Sequence, residues 1–78
     1  RKEAEAVRLS EESAIVQTIK CADLLANQVS IVEHDHNFAK VFLKESRVLH
    51  SVMTKALPSL RRALITAIDR DEKLTLKE

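Results

Sequence analysis

The sequence predicts an all-α fold, a small bundle of three to four helices, and three observations predict it. No glycine occurs in the 78 residues, and Pro58 is the single proline. Glycine-dependent hairpins, phosphate loops and dinucleotide-binding turns are thereby excluded. Apolar residues recur at the i, i+3/i+4 spacing of a helix along most of the chain, broken only by short polar joints. The whole of 1–78 reads as one helical domain. A chain this short buries roughly 60 per cent of its unfolded surface, so its core is marginal.

Residues 1–9 form a short charged helical segment in which Ala4, Val7 and Leu9 offer the apolar surface. Ser10, followed by Glu11 and Glu12, reads as an N-cap with acids in the first turn. The second helix is therefore expected from Glu11 to Val29 or Val32, with a kink at Ser10. Its apolar line is Ile15, Ile19, Ala22, Ala26 and Val29. At about 100° per residue, Cys21, Leu24 and Leu25 widen that line to more than half the circumference. Such a helix needs packing partners on several sides, and a second copy of the chain is one of them. Lys20, Asp23 and Asn27 share a sector of roughly 60° on the same helix. A cation, a carboxylate and an amide are costly to bury unless they bind one another, a metal or a ligand.

His34-Asp35-His36-Asn37 is the next joint, and Asp35 is the expected cap because Phe38 then lies in the first turn. The third helix is expected over about His36 to Lys55, with Phe38, Val41, Phe42, Val48, Leu49, Val52, Met53 and Ala56 buried. Glu45 interrupts that stripe and calls for a cation, Lys20 or an arginine. Pro58 suits the first turn of a fourth helix, where its missing N–H costs nothing. Leu57, Leu60, Leu64, Ala67 and Ile68 give this helix an apolar face, with Arg61 and Arg62 on a solvated one. From Arg70 to Glu78 the chain turns charged and is expected to fray or extend into solvent.

The composition excludes several functions. A net charge of +1 with interspersed signs gives no field for nucleic acid or an anionic membrane. The two aromatics, Phe38 and Phe42, make no base-stacking platform. No apolar run approaches membrane-spanning length, and a soluble, cytoplasmic protein is expected. Cys21 is the lone cysteine, which fits a reducing compartment and a packing role rather than catalysis. The chain starts at Arg1 and is expected to be a piece of a longer one.

The run from Thr18 to Asn27, Thr-Ile-Lys-Cys-Ala-Asp-Leu-Leu-Ala-Asn, resembles the last motif of the HD-domain metal-dependent phosphohydrolases. It is most similar to the branch related to guanosine polyphosphate pyrophosphohydrolases, with a lysine, an aspartate three residues on and an asparagine four beyond. The likeness continues through Ser30 to Asp35 and Phe38 to Glu45 and covers roughly Leu9 to Ala67. The resemblance implies the C-terminal part of an HD-type helical bundle. It implies Asp23 as a metal ligand, Asn27 and Lys20 as substrate contacts, and a divalent manganese or magnesium ion in the full-length parent. A nucleotide-type phosphate would be the substrate. The chain departs from the pattern upstream: no histidine precedes Asp23, and His34-Asp35 follows it, at a helix joint. His36 also stands where the related sequences have a proline. One ligand does not hold a metal, so no catalytic residue is assigned to this chain and it is expected to be inactive alone. The competing expectation is a non-enzymatic helical interaction module that self-associates, for instance as a homodimer, with no metal.

Overall fold

The computed structural model describes residues 2–76, with the side chains of residues 4–75, and among these it is four α-helices with no strand. They are α1 (Lys2–Ser10), α2 (Ala14–His34), α3 (His36–Val52) and α4 (Pro58–Leu76). Arg1, Lys77 and Glu78, the outermost residues of the two charged ends, lie outside the described residues. Among the described residues no helix is long and apolar enough to cross a membrane.

Local chemistry sets the joints, and it moves one of them from where the sequence suggested. The Ser10 hydroxyl does not cap α2; it donates back to Val7 O at 2.6 Å and helps to close α1. Ser13 is the cap instead, with extended backbone and its Oγ accepting from Val16 N at 3.2 Å. Glu11 and Glu12 therefore occupy the turn, bonding to Arg8 O and Leu9 O at 3.1 Å each. Asp35 caps α3 as expected, its Oδ1 accepting from Phe38 N at 3.0 Å. α3 stops at Val52, before Lys55, because tight bonds from Met53 N to His50 O and from Ala56 N to Met53 O turn the chain there. Pro58 opens α4, which does not fray at Arg70 but continues to Leu76. The reason is a buried row that runs on past Ile68: Leu64, Ile68, Asp71 and Thr75 follow each other at i, i+4, i+7 and i+11.

α3 is the hub, packed against α1, α2 and α4, while α2 and α4 also pack on each other. Leu43, Met53, Leu64 and Ile68 are enclosed at the centre, with Cys21, Leu24, Leu49 and Ala56 around them. α1 contributes Ala6 and Leu9. On α4 the expected face holds for Leu64, Ala67 and Ile68, whereas Leu57 is exposed. On α3 the buried line is Ala39, Leu43, Ser46 and Leu49, and Phe38, Val41 and Val48 stay outside. Phe38 and Phe42 lie side by side, ring centroids 6.3 Å apart. Glu45 sits half-buried at the edge of this face.

The largest departure is on α2. Its inward row is Gln17, Cys21, Leu24 and Gln28. The apolar line expected to be buried is turned outward, with Ile15 73%, Ile19 57% and Val29 66% exposed, and Ala22 and Ala26 exposed between them. At 100° per residue the centres of the two rows are about 150° apart. A helix that is apolar on both faces can bury either one against a single layer of partners. The inward face is selected by hydrogen bonding as well as by apolar area. Gln17 Nε2 donates to Leu9 O at 2.9 Å, and its Oε1 accepts from Lys55 N at 2.9 Å. One buried amide thereby closes both the α1–α2 and the α3–α4 joints.

Candidate functional site

Lys20, Asp23 and Asn27 lie on one flank of α2, between the buried row and the outward apolar line. Asp23 and Asn27 are exposed, and Lys20 is half-buried. Lys20 reaches into a shallow groove of about 170 Å³ where α1 passes α2, lined also by Glu5, Arg8, Leu9, Glu12 and Val16. The fold thus keeps the three together on one side of one helix, with Asp23 and Asn27 turned away from the core. Among the described residues none of the three side chains makes a hydrogen bond or ion pair.

A divalent ion held by the protein itself normally takes three or more protein ligands. Among the described residues no group of three or more His, Cys, Asp or Glu side chains converges to supply them. Asp23 by itself does not fit a metal centre, and no step of chemistry runs through a metal on these residues alone. The His34-Asp35-His36 joint is no substitute. Asp35 is used in capping, and the His34 ring sits against Ser30 O at 3.0 Å, with Glu33 3.4 Å from its other nitrogen.

Two polar features escaped the sequence reading. The first is a buried contact between α2 and α4, where Gln28 Nε2 donates to Asp71 Oδ2 at 2.7 Å. Arg70 adds a bond from its Nε to Asp71 Oδ1 at 3.1 Å. Burial pushes the Asp71 carboxyl up, but the bonds from Arg70 and Gln28 outweigh it and hold the group below its ordinary value. The spacing signal was present, since Gln28 continues the row from Gln17 through Cys21 and Leu24, and Asp71 continues the row from Leu64 through Ile68. Both residues were passed over because they are polar.

The second feature is a groove at the corner where α3 ends and α4 begins. It has a volume of about 340 Å³ and is lined by His50, Thr54, Ala56, Pro58, Arg61, Arg62 and Ile65. Arg61 is not on a solvated face. Its Nη2 donates to His50 O at 3.2 Å, and the His50 ring nitrogen Nε2 stands 3.2 Å from Arg61 O, which places the ring proton on Nε2. Burial and the Arg61 charge both push the His50 pKa down, so the ring is neutral at neutral pH. Cys21 is enclosed behind this corner, its Sγ 3.8 Å from Met53 Sδ. Burial raises its pKa and the Arg61 charge only partly opposes that, so the thiol stays protonated and inert, as its place in the core implies.

Compared with known proteins, the chain matches no family model, no curated protein and no solved structure.

Proposed function

We propose that this chain is the C-terminal helical layer of an HD-type metal-dependent phosphohydrolase, with the outward face of α2 forming one wall of the reaction centre. The observation that carries the reading is the two-sidedness of α2. A helix with Ile15, Ile19, Ala22, Ala26 and Val29 opposite its own core is a helix made to be covered on both sides. Lys20, Asp23 and Asn27 run along the edge of that uncovered face, which is where a second layer of helices can bring further ligands up to them. In this reading Asp23 is one metal ligand, while Asn27 and Lys20 meet a phosphate-bearing nucleotide, for which guanosine polyphosphates are the first candidates. The other ligands come from helices encoded upstream of Arg1, and the chain alone has no activity.

The test is direct. The longer polypeptide should carry a histidine and a His-Asp pair ahead of Arg1. It should hydrolyse guanosine polyphosphate in manganese or magnesium, and Asp23→Asn should abolish both metal binding and turnover. Upstream sequence without those residues, or an Asp23→Asn protein that keeps full activity, defeats the proposal.

The same face supports a second reading, a non-enzymatic module that pairs with its own copy across α2. The small residues Ala22 and Ala26 would allow close approach, with Ile15 and Val29 at the ends. In that case the 78-residue chain sediments as a dimer at micromolar concentration, and no metal-dependent hydrolysis accompanies the longer polypeptide.

A further inference from the structure

The corner between α3 and α4 holds a feature that neither reading of the α2 face uses. Two residues there bond to each other's backbone. Arg61 Nη2 donates to His50 O at 3.2 Å, and the His50 ring donates through Nε2 to Arg61 O at 3.2 Å. His50 O also accepts from Met53 N at 3.2 Å, so it is one of the carbonyls that end α3. The C-terminus of a helix carries partial negative charge and favours a cation in its last turn. At neutral pH Arg61 is that cation, reaching across from α4, because the His50 ring is neutral.

His50 itself lies in the last turn of α3, so two groups able to carry positive charge stand at one helix end. The surroundings oppose a second charge. Arg61 on α4 and Arg47 on α3 both disfavour the imidazolium, and Arg62 lines the same groove. Asp69 on α4 favours it but is engaged with Arg47. From α2 the Cys21 thiol is uncharged, and Lys55 in the joint turns its ammonium to Glu12 O. The Arg61 side chain is also held imperfectly, because its Nε is enclosed and meets no acceptor. A guanidinium turned out into the adjoining groove, of about 340 Å³, would have that donor hydrated.

We propose that this corner is an acid-released latch, in which protonation of His50 frees the Arg61 side chain from the end of α3. The added proton goes to Nδ1 and puts a second cation at the helix end. The imidazolium takes over the interaction with that end, and the guanidinium leaves His50 O for the groove. Nε2 keeps its proton and its bond to Arg61 O, so the helices stay packed and only the arginine side chain moves. By linkage, the factor by which the closed latch resists protonation is the factor by which protonation loosens it, about tenfold for each unit of pKa. The closed form therefore prevails above the ordinary histidine value of about 6.5 and gives way as pH falls through the lower His50 midpoint. The latch uses neither Asp23 nor a metal nor the outward face of α2.

The experiment is a two-dimensional NMR titration of the folded 78-residue chain from about pH 8 to about pH 5, following the His50 ring protons and the Arg61 side-chain Nε–H. Expected are a His50 midpoint below the ordinary histidine value and an Arg61 Nε–H signal that moves with the same midpoint. Protection of that Nε–H against exchange, corrected for the intrinsic effect of pH, should fall about tenfold across the titration. In Arg61→Met the His50 midpoint should rise toward the ordinary value. In His50→Gln, whose amide can still donate to Arg61 O, the Arg61 signal should be flat over this range. A His50 midpoint at or above the ordinary value overturns the proposal. So does an Arg61 Nε–H that stays still while His50 titrates, or one that moves in His50→Gln as it does in the parent. If either variant fails to fold, the titration of the parent chain decides alone.

Discussion

Replacing Gln17 with alanine should remove the bond that ties the two ends of the bundle together. The Gln17 side chain is fully enclosed and serves two joints, through Leu9 O on one side and Lys55 N–H on the other, each at 2.9 Å. Truncation strands the part-buried Lys55 N–H, worth about 1–3 kcal/mol when unpaired, and removes from Leu9 O a bond worth about 1 kcal/mol, although Leu9 O keeps its bond from Glu12 N. Counting the low end for the N–H, about 1 kcal/mol for the lost bond and about 1 kcal/mol for the small void gives a loss of about 3 kcal/mol. For a domain of 78 residues the total is only about 4–12 kcal/mol, so this one amide supports a large share of it. In thermal unfolding followed by circular dichroism the midpoint should drop by about 12–24 °C, at about 4–8 °C per kcal/mol for a chain of this size. Gln17→Glu supplies the control. A carboxylate can still accept from Lys55 N but cannot donate to Leu9 O, so it should be nearly as damaging at neutral pH. Burial raises its pKa, and protonation restores a donor; relative to the parent it should therefore recover as pH falls. A midpoint drop below about 4 °C for Gln17→Ala, under 1 kcal/mol, refutes the claim that this residue rather than apolar contact fixes the orientation of α2.

Further predictions follow from the joints, the buried carboxylate and the surface. Asp71 has a folded pKa below its ordinary value. Its contribution is therefore present at neutral pH and is lost on acidification through that lowered value, and Asp71→Asn should flatten the acid limb of a plot of urea midpoint against pH. Ser13→Ala should cost about 1 kcal/mol in urea unfolding, whereas Ser10→Ala, which removes only a local bond to Val7 O, should cost about half of that or less. Arg47→Ala breaks a pair of exposed contacts with Asp69 and Glu72 and should cost less than about 1 kcal/mol, the difference shrinking further in high salt. Ile19→Lys on the outward face of α2 should leave the unfolding midpoint of the isolated chain within about 0.5 kcal/mol of the parent. It should abolish whatever covers that face, read as loss of the dimer in sedimentation or of hydrolysis in the longer polypeptide.

The number and nature of the helices were legible in the sequence because they depend on local rules. The absence of glycine, the Asp35 cap and Pro58 at a helix start each act within one turn of chain. What was not legible was which way the helices face. For α4 the apolar residues define a single stripe, and the expected Leu64, Ala67 and Ile68 are inside. For α2 the pattern offers two stripes, and the longer aliphatic one is the wrong one for this bundle. The choice was made by Gln17 and Gln28, whose partners Leu9 O, Lys55 N and Asp71 lie far along the chain or across the bundle. A periodicity argument discards such residues because it scores them as polar, whereas the directed bonds that Gln17 makes through both ends of its amide and Gln28 through its Nε2 make them the more specific part of the interface. Of the candidate site, the sequence grouped Lys20, Asp23 and Asn27 on one sector correctly. It did not foresee that the sector would stand at the boundary of an uncovered face, nor that Arg61 would turn inward toward His50.

That boundary position carries the argument about α2 one step further. Fully burying an isoleucine or valine is worth about 1.5–3 kcal/mol, and Ile15, Ile19 and Val29 each leave more than half of their surface outside. Together they hold about 3–5 kcal/mol that this bundle does not use, comparable with the whole stability expected of a chain this size. A sequence selected only to fold as these four helices would have no reason to keep aliphatic residues there, since lysine or glutamate would serve α2 equally well and keep the surface soluble. Keeping them makes sense if the face is occupied in the working molecule. The polar flank then matters for the way it is placed: Asp23 and Asn27 need not be buried in the isolated chain to be useful, because covering the aliphatic line brings the new layer to their side. The same act would desolvate Asp23, and a carboxylate so desolvated needs a cation or a donor to remain ionised. Lys20, three residues away on the same flank, is one such cation, and a metal held with ligands from the covering layer is the other.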